Sequence, residues 1–120
     1  MKIINSKIHG TLDYAVVLIF LAAPTLCGFS GLPAAISYAL SAIHLVLTLV
    51  TAFPLGVVAI VPLRLHGAIE LVVSICLVAL PWALQFSTDM AARNFYVGAG
   101  ATIFLVWLVS DYRPAIPAAK

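Results

Sequence analysis

Charge is what this chain has least of. Six Lys or Arg and four Asp or Glu stand among 120 residues, whereas about a quarter of a soluble domain is charged. That shortage excludes the solvated surface of a globular domain in water. It also excludes nucleic acid as a partner, because no basic run exists to follow a phosphate backbone. Cysteine is almost missing too. Cys27 and Cys76 form no Cys-x-x-Cys pair, fall at different depths of a helical reading and are not expected to join in a disulfide. There is no Gly-rich phosphate loop and no Gly-x-Ser-x-Gly elbow, so the usual phosphate-binding and acyl-transfer machinery has no support. The inventory points away from an enzyme.

What fills the chain instead is apolar. Hydrophobic residues make up 64% and the mean hydropathy is +1.18. A crossing of a roughly 30 Å hydrocarbon layer takes about 20 apolar residues, so the length suits four crossings and little else. The expectation is an all-α membrane protein, one domain over 1–120, with helices near 8–29, 34–53, 63–86 and 90–112. Ser6 and Asp89 are candidate N-caps, and Gly31-Leu32-Pro33 and Pro54-Leu55-Gly56 mark breaks. Lys2, Lys7, Arg64, Arg113 and Lys120 fall on one side and Arg93 alone on the other. By the positive-inside rule both termini face the cytoplasm of a bacterial inner membrane. Trp107 and Tyr112 at one face, and Tyr38, Trp82 and Tyr96 at the other, are expected to form the aromatic belts.

The chain also repeats itself. His9–Ser30 reads HGTLDYAVVLIFLAAPTLCGFS and His66–Ser87, 57 residues later, reads HGAIELVVSICLVALPWALQFS. His, Gly, an acid, Pro and Phe-Ser recur in one register. Each copy continues into a second helix, so the repeats, about 8–53 and 63–112, are expected to be two parallel, same-orientation helical hairpins. The His-Gly-x-x-acid start leading through an apolar helix to Pro24-Thr25 and Pro81-Trp82 resembles the SPW-repeat family of small bacterial integral membrane proteins. In that family a Ser-Pro-Trp motif recurs; here it reads Ala23-Pro24-Thr25 and Leu80-Pro81-Trp82, matching in part. The resemblance implies fold and membrane location and brings no activity or site residues.

Helical spacing puts His9 and Asp13 on one face and does the same for His66 and Glu70. Ionisable groups inside a membrane span are costly and mark a site by default. The bland reading is a packing lock between the repeats, with Gly10 and Gly67 permitting close approach. Three functional readings compete with it: a Zn, Fe or Mn site formed by His9, Asp13, His66 and Glu70, haem b between His9 and His66, or a protonatable site for a quinone, ion or proton. His44 is expected near the bilayer midplane, satisfied by Ser41 or Thr48, with Ala101 as its repeat counterpart. Asp111 and Arg113 should pair at the exit of the last helix. The leading expectation is a non-enzymatic structural or accessory component, a homo-oligomer or a subunit of a larger complex, with no cofactor required. A haem- or metal-binding redox protein is the alternative, and a small proton- or ion-coupled transporter is a third.

Overall fold

The computed structural model describes residues 2–113; Lys120, counted above among the charges, lies outside them. Four helices follow one another: α1 (Ser6–Cys27), α2 (Gly31–Leu49), α3 (Leu63–Ala83) and α4 (Met90–Val109). All four are long and apolar enough to cross a membrane. The described residues contain no strand beyond two isolated bridges.

The helix ends follow from local chemistry. Asn5, not Ser6, caps α1, its side chain accepting from the Ile8 amide at 2.9 Å. Asp89 caps α4 as expected, accepting from Ala92. At the far end of α1, Gly28 turns left-handed at φ 76° and its amide, like that of Phe29, bonds the Pro24 carbonyl. The repeat reaches the same geometry without glycine: Gln85, 57 residues on, sits at φ 62°, and Phe86 bonds the Pro81 carbonyl.

α2 and α4 stop earlier than their apolar runs suggest, because the chain after each turns extended. Thr51 bridges to Val61, just ahead of α3, and Ser110 bridges to Ile4, just ahead of α1. Ala52 bonds the Val61 carbonyl at 2.8 Å, and Asp111 bonds the Ile4 carbonyl at 2.8 Å. These pairings bring Thr51 and Ser110 over the starts of α3 and α1.

Within the first hairpin, Ser37 and Ser41 donate to the Phe20 and Val17 carbonyls, drawing α2 close along α1. In the second, Gly100 supplies the closeness; a Cβ there would sit 2.7 Å from the Ser74 carbonyl oxygen. Ser41 and Gly100 are 59 apart, whereas Val17 and Ser74 are 57 apart. The two-residue change arises in the turns, where one residue separates Phe29 from α2 and three separate Phe86 from α4. His44 therefore corresponds to Ile103, not to Ala101.

The hairpins meet at two levels. One is an apolar cluster that includes Phe20, Phe29, Leu77, Phe86 and Tyr96. The other is polar and lies near the starts of α1 and α3. Of the expected belt residues, Tyr38 and Trp82 are exposed. Tyr96 is instead fully buried, its hydroxyl donating at 2.7 Å to the carbonyl of Pro33 in the first turn of α2. Tyr112 also turns inward.

Candidate metal centre

His9 and Asp13 on α1, and His66 and Glu70 on α3, converge in one buried cluster whose donor atoms all lie within 4.8 Å of one another. Each imidazole Nε2 faces both carboxylates. His9 Nε2 lies 3.0 Å from Glu70 Oε2 and 3.3 Å from Asp13 Oδ1. His66 Nε2 lies 3.2 Å from Asp13 Oδ2 and 3.4 Å from Glu70 Oε1. The contacts across the hairpins are the shorter ones. All these separations are short, yet His9 Nε2, His66 Nε2 and Asp13 Oδ2 have no hydrogen-bond partner among the described residues, because the angles are wrong.

The opposite ring nitrogens explain this orientation. His9 Nδ1 lies 2.8 Å from the Ser110 hydroxyl and His66 Nδ1 lies 2.8 Å from the Thr51 hydroxyl. Each hydroxyl has one proton, and each already donates it to a carbonyl one turn back, Val106 for Ser110 and Leu47 for Thr51, at 2.6 Å. The imidazole must then be the donor, through Nδ1–H. In the neutral rings this leaves an Nε2 lone pair on each His, in the space beside the two carboxylates. Two lone pairs and two anions gathered away from water repel one another unless positive charge lies among them. One divalent cation supplies it, and so does a proton on each ring.

The outer partners of the two carboxylates differ. Tyr112 donates to Glu70 Oε2 at 2.7 Å. Burial and then the neighbouring Glu70 push its phenol well above the ordinary value, so it stays a donor. Asp13 has His44 instead, with Nε2 at 3.5 Å from Oδ1. This corrects the expectation that His44 has no second ionisable group at its level. α2 runs from Gly31 to Leu49, so His44 lies five residues, about 7.5 Å, from its end and at the depth of Asp13. Neither expected hydroxyl serves its ring: Thr48 donates to the His44 carbonyl and Ser41 to Val17.

Gly10 and Gly67 make room for aromatic rings, not for a neighbouring helix. A Cβ at Gly10 would come 2.6 Å from the Phe53 ring, and one at Gly67 would come 2.9 Å from the Tyr112 ring. The same rings stand beside the histidines, Tyr112 at 5.2 Å from His9 and Phe53 at 6.1 Å from His66 between centroids. Thr51, Phe53, Ser110 and Tyr112 were not singled out for the site from the sequence. Their signal is a second frame, 59 residues from Thr51 to Ser110 and from Phe53 to Tyr112, which the 57-residue frame conceals. Asp111 and Arg113 do pair at the exit of α4, at 2.6 Å, and the guanidinium holds the Asp111 carboxyl down at about 2.

Compared with known protein families, with curated proteins and with solved structures, the chain matches none.

Proposed function

We propose that this is a metal-binding integral membrane protein whose centre holds one divalent first-row transition metal between α1 and α3. The observation that carries the reading is the anchoring of the two imidazoles: Ser110 and Thr51 engage both Nδ1 atoms, which leaves both Nε2 atoms gathered with the Asp13 and Glu70 carboxylates. Orientation of a ligating His through its other nitrogen is the usual outer-shell device of metal sites. Two nitrogens and two carboxylate oxygens suit Zn, Fe or Mn and balance a divalent charge. Haem b fits less well, since Phe53 and Tyr112 occupy the space beside Gly10 and Gly67 that a macrocycle would need.

A second reading has its own support. The contacts across the hairpins, His9 to Glu70 and His66 to Asp13, are shorter than those within each helix. With a proton on each ring the cluster is a charge-balanced lock, and the protein a small structural or accessory membrane component. In both readings the hairpins are same-orientation repeats, of the kind the resemblance to the SPW-repeat family implies, and the cluster lies on the cytoplasmic side of a bacterial inner membrane.

Elemental analysis separates the two readings. Protein purified in mild detergent is equilibrated with Zn, Mn or Fe(II) and freed of excess metal. One retained ion per chain, lost in both His9→Ala and His66→Ala, supports the metal centre. Intact protein that retains no ion under any loading leaves the lock.

A further inference from the structure

Between α2 and α3 a cavity of about 70 Å³ opens beside the cluster. Leu40, Ile43, Leu47 and Val73 are among its apolar walls, and its two polar residues are Glu70 and His44. Glu70 belongs to the donor set, so the cavity adjoins the centre itself. His44 Nε2 is buried, 3.5 Å from Asp13 Oδ1, and has no hydrogen-bond partner among the described residues.

A second cleft, between α1 and α4, shares Val16, Phe20 and Ile103 with this cavity and differs from it in its polar lining. It is lined by residues including Val16, Phe95, Gly98, Thr102 and Ile103, with no ionisable side chain and no member of the donor set. Ile103 stands there in the position that His44 holds in the first hairpin. The two hairpins are thus alike around the metal ligands and unlike where the cavity meets them.

We infer that the metal keeps one coordination position turned towards the α2–α3 cavity, and that a small neutral diatomic molecule dissolved in the bilayer binds there, next to His44. This rests on the metal-centre reading. Four protein donors leave room at Fe or Mn, which accept further ligands beyond a mixed histidine and carboxylate set. The cavity sets the size of the ligand: an engineered apolar cavity of about 150 Å³ holds benzene, and this one, at about half that, excludes a quinone ring but admits two or three heavy atoms. Charge sets its class. Asp13 and Glu70 repel anions, and apolar walls facing lipid favour solutes such as dioxygen or nitric oxide. The step is association only; no electron or proton changes place.

Nitric oxide on the iron-loaded protein is the probe. Protein in detergent is loaded anaerobically with Fe(II), its iron content measured, and the iron-nitrosyl signal followed by electron paramagnetic resonance after nitric oxide is added. Wild-type protein is expected to form the nitrosyl in proportion to its iron. Val73→Phe and, separately, Ile43→Phe, which fill the cavity from α3 and from α2, are expected to keep the iron and lose the signal on the wild-type time scale. Ala99→Leu, which lines the α1–α4 cleft and not the cavity, should leave it unchanged. Absence of bound iron overturns the metal reading itself. Bound iron without a nitrosyl, or a nitrosyl that forms equally fast in both filled variants, overturns the open position while leaving the metal in place.

Discussion

Ser110 and Thr51 decide what His9 and His66 can bind. Their hydroxyls donate to carbonyls and so oblige Nδ1–H to donate in turn, which leaves both Nε2 atoms as ligands. Ser110→Ala and Thr51→Val should each weaken metal binding by about 10–100-fold, the usual cost of losing such an outer partner. Competition against a chromophoric chelator measures this, and unchanged affinity in both variants would show that the hydroxyls do not orient the rings. Tyr112→Phe keeps the ring against Gly67 and removes only the bond to Glu70. Its affinity should fall as well, with the secondary structure seen by circular dichroism unaltered.

At the scale of the element, the two hairpins solve the same geometry with different residues. Gly28 and Gln85 both sit left-handed after their prolines, yet only glycine does so without a clash at Cβ. Gln85→Gly should therefore stabilise the protein by about 1 kcal/mol, read as a higher melting temperature in detergent; a lower one would mean that the Gln85 side chain contributes more than its backbone costs. The four helices and the meeting of His9, Asp13, His66 and Glu70 were legible because i, i+4 spacing and a 57-residue repeat are properties of the sequence itself. The places of Thr51, Ser110 and Tyr112 were not. They depend on extended segments that pair with Val61 and Ile4 far along the chain, and on a turn lengthened by two residues that shifts α4 against α2. The same shift hid the counterpart of His44, and the early end of α2 hid its depth.

Across the whole molecule, each hairpin is closely packed within itself, and the two are joined by an aromatic cluster at one level and by the polar cluster at the other. A metal shared between α1 and α3, as proposed, would tie the hairpins together through the charges of Asp13 and Glu70. Chelation should then lower stability by about 2.7 kcal/mol relative to protein held at a hundredfold excess over Kd. It should also speed proteolysis in the stretch 50–62 between the hairpins; equal melting temperatures with and without metal would speak against a shared centre. The most direct measurement is X-ray absorption at the K edge of the metal in zinc-loaded protein. A first shell of nitrogen and oxygen at about 2.0–2.2 Å, with the outer-shell scattering of two imidazoles, is expected. A shell of oxygen alone, with no imidazole scattering, would contradict a centre built on His9, Asp13, His66 and Glu70.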